Sequence, residues 1–244
     1  MKVTQNRLLM SLSGEALAVL GPPQRVDLPL KADLDVDGYV YFLESGIASI
    51  VATMKGVSPL EIGIIGAEGT SALSTIYQDS ESPFQMYMQI AGTASRFEAS
   101  RLSAVIEEFP EARSLMQRFA RAFSIQVATT AFANGRAKVD ARLARWLLMA
   151  SDRVGPTFSI THEFLSMMLG VRRAGVTLAM QDLEGLGLVR AQRGTVTIRD
   201  RGGLIELTGG AYGFAELQYE RLLGAMSLPF YRRPTPGLSS PLAA

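Results

Sequence analysis

Residues 111–134 contain neither glycine nor proline. Leu115, Phe119, Ala122, Gln126, Thr129 and Ala133 recur there at alternating spacings of four and three. Such a stretch is a long helix with a seam of the kind that coiled coils use. Met116, Phe123 and Val127 lie on an adjoining face, so one stripe can pack on the rest of the chain while the other meets a partner helix. The seam carries two polar positions, Gln126 and Thr129, and burial of the helix within one subunit is the alternative reading.

The chain before it follows another rule. Short β-type runs occur at Arg25–Leu30, Tyr39–Leu43, Ile47–Met54, Leu60–Ile65, Phe84–Ile90 and Thr93–Phe97. Turn residues separate them, as in the Asp35-Val-Asp-Gly38 and Glu44-Ser-Gly46 stretches. Strands of this length and punctuation predict an antiparallel sandwich or barrel. Residues 1–20 read as one amphipathic helix stopped by Gly21-Pro-Pro23, and 101–108 as a short helix opened by Ser100. Beyond the long helix, Asn134-Gly135 is the expected break and 139–151 the next helix. The whole is an α+β chain. Its expected parts are 1–110 (β domain), 111–138 (long helix and hinge), 139–225 (C-terminal domain) and a flexible tail at 226–244.

Charge divides the same way. Residues 1–110 carry 7 Lys/Arg and 13 Asp/Glu (7 − 13 = −6), whereas 111–244 carry 17 and 10 (17 − 10 = +7). The basic half is the one that can approach phosphate. The 244 residues hold no cysteine and one histidine, His162, which excludes disulfides, thiolate metal sites and multi-histidine centres. No nucleophile–base set and no phosphate loop is present, so an enzyme is not expected, and no metal or cofactor is called for. Asp33, Asp35 and Asp37 lack the further acidic ligand that a calcium loop needs. The N-terminus lacks a signal-peptide pattern, and no apolar run approaches the roughly 20 residues that span a bilayer. A cytoplasmic protein without membrane contact is expected.

The informative segment is 159–198. Thr161 is a natural N-cap, and Phe164, Leu165, Met168 and Leu169 form an inward face. Gly170 can take the left-handed conformation that ends that helix, and Val171 would plug the corner. The next helix, about Arg172 to Leu186, buries Val176, Met180 and Leu183 and offers Arg172, Arg173, Thr177 and Gln181 on its other face. Arginine can read guanine and glutamine adenine in a major groove. Residues 188–198 read as a hairpin turning near Arg193-Gly194, with Arg190 and Arg193 placed to hold the DNA backbone. Thr161 and His162, in the first turn of the helix pair, complete the expected DNA surface. Arg142 and Arg145 suit a phosphate or an internal acid equally, and Trp146 is expected as a core anchor.

On these residues the chain resembles the Crp/Fnr family of transcription regulators over nearly all of 1–225. The resemblance is strongest in Arg142-Leu-Ala-Arg-Trp-Leu-Leu-Met149 and in 161–177, and it extends to 41–50 and Ile65-Gly-Ala-Glu-Gly69. It implies a jelly-roll-like β-roll sensor, a long dimerisation helix and a winged helix-turn-helix. It also implies a homodimer on two-fold double-stranded DNA, with RNA polymerase as a further partner. An arginine at the place of Arg173 usually contacts guanine in that family. Other base-reading positions of many members fall here on Ala174 and Leu178, so an operator preference does not carry over.

The family's cyclic-nucleotide binders hold the phosphate with a Gly-Glu pair and a later Arg-Ser. Glu68 and Gly69 stand near the first place and form the candidate ligand pocket. The second is missing, since 56–95 contain no Lys or Arg. Val127 and Ala128 fall where those binders offer hydroxyls. Cyclic AMP regulation is therefore not expected, an iron–sulfur sensor is excluded, and Met54, Met86 and Met88 read as core fillers rather than haem ligands. An unidentified effector and no effector at all both stay open. The alternative function is a dimeric ligand- or protein-binding module on the same scaffold without specific DNA binding.

Overall fold

The computed structural model describes residues 4–34, 38–79, 81–224 and 228–232. The Asp35–Asp37 turn and the tail beyond 232 lie outside them. The N-terminal stretch forms two helices rather than one, because two side chains each cap a start. Asn6 accepts from the N–H groups of Leu8 and Leu9 to open α1 (Arg7–Met10), and Ser13 accepts from Ala16 N–H to open α2 (Gly14–Leu20).

Six strands follow: β1 (Gln24–Leu28), β2 (Tyr39–Leu43), β3 (Ile47–Ala52), β4 (Leu60–Ile65), β5 (Phe84–Ile90) and β6 (Gly92–Glu98). A short α3 (Leu73–Ile76) lies between β4 and β5. The strands pair antiparallel as two three-stranded sheets, β1-β6-β2 and β4-β3-β5. Phe42, Leu43, Ile50 and Met88 are buried in the core of this β-roll, and Phe42 meets Phe97 edge to face at 5.8 Å. Each such side chain contributes about 1.5–3 kcal/mol by leaving water. Met86 and Met88 sit in this core, while Met54 is exposed.

Helix α4 (Ala99–Glu108) leads into α5 (Pro110–Arg136), whose first residue is a proline, at the one place where its missing N–H costs nothing. At about 1.5 Å per residue, α5 runs about 40 Å. It passes the expected break at Asn134-Gly135 and stops at Ala137, where the backbone turns extended. Its predicted seam is turned into its own protomer: Leu115, Phe119, Ala122, Gln126 and Ala133 are buried and Thr129 half-buried. Gln126 explains the register. Its amide accepts from Ile64 N–H (2.8 Å) and donates to Ile64 O (3.1 Å), closing the open edge of β4. Gly63 allows the approach, since a Cβ there would lie 2.8 Å from the Phe123 ring.

The C-terminal domain comprises α6 (Val139–Val154), β7 (Thr157–Ser159), α7 (His162–Leu169), α8 (Arg173–Gly185), β8 (Val189–Gln192), β9 (Thr195–Ile198), α9 (Arg201–Leu207) and α10 (Phe214–Leu223). Its sheet order is β7-β9-β8. Trp146, 4% exposed, packs edge to face on Phe158. Helix α10 returns to pack along α5, burying Tyr219 in the β-roll core. Ile47 and Ile64 of the β-roll belong in turn to the core of the C-terminal domain, so the two parts share apolar surface.

Two polar contacts lock this arrangement. Trp146 Nε1–H donates to Glu61 (2.9 Å), and Arg153 Nε–H donates to Glu68 (2.8 Å). All four side chains are buried.

Candidate nucleic-acid interface

The turn between α7 and α8 forms as its local chemistry dictates. Thr161 Oγ1 accepts from Phe164 N–H (3.3 Å), and Gly170 ends α7 at φ 60°, ψ 35°. Val171 is half-buried at the corner. Helix α8 turns Val176, Ala179, Met180 and Leu183 inward and leaves Arg173, Ala174, Leu178 and Gln181 exposed. Its exposed face has no packing duty and is available to a ligand.

The wing turns through Arg193 (φ 49°) and Gly194 (φ 80°), two residues between paired Gln192 and Thr195. Positive φ at both central residues is the turn that matches strand twist in a two-residue hairpin. Glu184 accepts from Ala191 N–H (2.8 Å), tying α8 to the wing, and Ile160 N–H donates to Gly194 O (2.8 Å), tying the wing tip to the start of α7. Sequence reasoning missed Glu184; the signal is a carboxylate in the last turn of α8, seven residues before the N–H it meets.

A groove runs between α8 and the wing, lined by Thr161, His162, Arg173, Gln181, Glu184 and Arg193, with Thr177 beside them. Thr177 Oγ1 donates to Arg173 O and lies 3.1 Å from His162 Nδ1. Arg172 and Arg190 are exposed on the flanks, outside the groove. Among the described residues, none of Arg172, Arg173, Arg190 and Arg193 forms a salt bridge.

Arg142, Arg145 and Arg201 of this domain serve internal contacts instead. Arg142 donates to Asn134 Oδ1 (3.0 Å) and to Leu169 O; Arg145, 5% exposed, donates to Ala211 O (2.9 Å). These two join helices, and burial lowers the pKa of both guanidinium groups. Asp152 accepts from Arg201 (2.6 Å) and from the Tyr212 hydroxyl (2.7 Å); burial raises its carboxyl to about 6 against that pairing. Burial likewise pushes Glu61 up to about 7, although Ser49 and Trp146 both donate to it.

The candidate ligand pair in the β-roll is committed elsewhere. Glu68 is fully buried, accepts from Gly66 N–H and Arg153, and so serves the junction with α6. Gly69 abuts Phe119, which would stand 3.0 Å from an added Cβ. The seam residues Leu115, Phe119, Ala122, Gln126 and Ala133 are spent inside the protomer, and Thr129 Oγ1 donates to Ile125 O and Gln126 O. The face of α5 turned to solvent carries Arg121, Ala128 and Phe132 instead, with Ile125 half-buried beside them.

A β-roll, a long helix and a winged helix-turn-helix with exposed arginines beside its groove make up a two-domain architecture. Residues 141–207 match the Crp-like helix-turn-helix domain, so the chain carries that domain within the fold of Crp/Fnr-family regulators. Similar solved structures include FixK2 from Bradyrhizobium japonicum, with a TM-score of 0.66 and 13% identity over 76% of this chain and 96% of that one. The c-di-GMP responsive global regulator CLP from Xanthomonas campestris gives 0.61 and 17% over 76% and 99%. A CRP/FNR-family transcriptional regulator from Thermus thermophilus gives 0.61 and 14% over 76% and 98%. At these identities the likeness is one of fold. Among curated protein sequences none matches significantly. No described helix is long and apolar enough to cross a membrane.

Proposed function

We propose that this protein is a sequence-specific DNA-binding transcription regulator that acts as a homodimer on a two-fold site, in the cytoplasm, without control by cyclic AMP. The observation that carries the reading is the groove between α8 and the wing, where the exposed Arg173 and Arg193 converge without a salt bridge among the described residues, the groove's carboxylate, Glu184, accepting instead from Ala191 N–H. In the proposed complex α8 enters the major groove. Arg173 reads guanine, Gln181 reads adenine, and Leu178, 62% exposed, meets a thymine methyl. Arg172, Arg190 and Arg193 hold phosphates on either side, and Thr161 and His162 support the first turn against the backbone. RNA polymerase is the further partner that this reading requires.

The proposed dimer seam is the outward face of α5. Ile125, Ala128 and Phe132 recur at spacings of three and four, and Phe132 is 62% exposed. A second copy on this face would set two recognition helices about 34 Å apart, one turn of DNA. Independence from cyclic AMP is supported by Glu68, which is given to Arg153, and by the absence of any Lys or Arg in 56–95.

Selection of bound sequences from a random duplex pool, with a salt titration, tests the reading for wild type and Arg173→Ala. A two-fold-symmetric motif that the variant loses is the expected outcome; binding without an enriched motif would overturn specific regulation. Phe132→Glu is expected to sediment as a monomer at micromolar concentration, while wild type sediments as a dimer.

A further inference from the structure

A cleft of about 950 Å³ opens between the β-roll and the winged helix. That volume lies within the range of sites that enclose small molecules. Its two sides come from different domains. The β-roll supplies the Glu44–Gly46 turn and Gln89–Ala91; the winged helix supplies Phe158–Thr161, Phe164 and Gly194. Phe230 closes one end, where its backbone N–H donates to Asp152 O (2.9 Å).

Gln89 is the unusual member. It is 1% exposed, yet neither its amide oxygen nor its amide nitrogen has a partner among the described residues. Buried amides are ordinarily paired, because leaving both ends unmade forfeits the full desolvation of the group. The backbone shows how the residue reaches the cleft. Ile47 pairs with Ile90 and Ala48 with Met88, so Gln89 is the extra residue of a β-bulge in β5. A bulge breaks alternation and re-aims a side chain. Here Gln89 and Ile90 both line the cleft, whereas Met88 remains in the β-roll core.

We infer that this cleft is a binding site for a small neutral molecule with a planar apolar body and a carboxamide-like edge that pairs with both ends of the Gln89 amide. The apolar body is matched by Ile90, Phe158, Phe164 and Phe230. Neutrality follows from the charges that line it. Arg153 is answered by Glu68, and the other two charges of the lining, Arg7 and Glu44, are opposite in sign. The site is separate from Glu68 and Gly69. Its occupant would touch Thr161, the cap of α7, and Gly194 at the wing tip, both of which belong to the proposed DNA surface. An effect on DNA rests on the function proposed above; capture of the ligand does not.

The test uses the full chain, without DNA, and 2-naphthamide as probe against 2-methylnaphthalene, which lacks the amide. Calorimetry gives the affinities. The emission of Trp146, the protein's one tryptophan, reports occupancy through Phe158, whose ring centroid lies 6.2 Å away. Wild type is expected to bind 2-naphthamide at one site, at least tenfold more tightly than 2-methylnaphthalene. Gln89→Leu removes that preference while leaving both bound weakly, and Ala91→Trp, which fills the mouth from an exposed position, abolishes both. Equal affinity for the two probes in wild type overturns the assignment, as does absence of saturable binding or binding unchanged in both variants.

Discussion

Seven arginines of the C-terminal domain fall into two sets that differ only in what surrounds them. Arg172, Arg173, Arg190 and Arg193 are exposed and unpaired by any described carboxylate; Arg145 and Arg153 are buried, and Arg201 is largely so. The buried set is answered by Glu68, by Asp152 and by backbone carbonyls. A buried guanidinium needs those partners, because its desolvation is otherwise uncompensated. An exposed one needs none, and so retains its charge for a phosphate or a base. Within one domain, the inward arginines hold the structure and the outward ones are free to bind.

The largest effect that would break this contrast comes from the inward set. Glu68→Ala leaves Arg153 buried without its carboxylate, and urea denaturation is expected to show a loss of about 3–5 kcal/mol. Pairing Glu68→Leu with Arg153→Met should restore most of it. A single-variant loss under about 1 kcal/mol would mean that pairing is not what separates the sets.

A smaller effect concerns acidity at the same junction. Glu61 stands at about 7 in the folded chain against an ordinary 4.5, so between these values the folded state holds a proton that the unfolded state gives up. Its contribution is therefore complete below about pH 4.5 and lost as pH rises through 7, on the order of 3 kcal/mol in all. Asp152, raised to about 6, acts in the same direction. Glu61→Gln can still accept from Trp146 and donate to Ser49. Relative to wild type it should gain stability between pH 5 and 8 and show a flatter pH profile in chemical denaturation.

The outward set is sharpened by two substitutions without expected loss of stability. Arg173→Ala should weaken a selected site by about 1–3 kcal/mol while leaving nonspecific duplex binding nearly unchanged, measured by fluorescence anisotropy. Arg193→Asn keeps a residue that tolerates positive φ at the wing turn and removes one charge. It should weaken all sequences alike and lower the salt slope by about one, the smallest change of the series.

Local chemistry was readable along the chain. Strands at Tyr39–Leu43, Leu60–Ile65 and Phe84–Ile90 coincide with their apolar runs, because alternation and turn residues act over a few positions. The Thr161 cap, the Gly170 stop and the Arg193-Gly194 turn are equally local, and they position the DNA surface. Helices α9 and α10 were not anticipated; glycines at 202, 203, 209, 210 and 213 obscure their pattern. The ion pair of Glu68 with Arg153 and the contact of Glu61 with Trp146 each join residues 85 positions apart, and no periodicity reports such a meeting.

The sequence by itself determined the succession of β-roll, long helix and winged helix, and the cationic character of the last, since these follow from residue spacing and composition. Only the tertiary structure decided which stripe of α5 faces inward and what Glu68 serves. Both stripes have helical period, and burial chose between them. Gly63 and Gly69 let the Phe119–Gln126 side of the helix approach the sheet, Gln126 locked it to Ile64, and the opposite face was left to solvent.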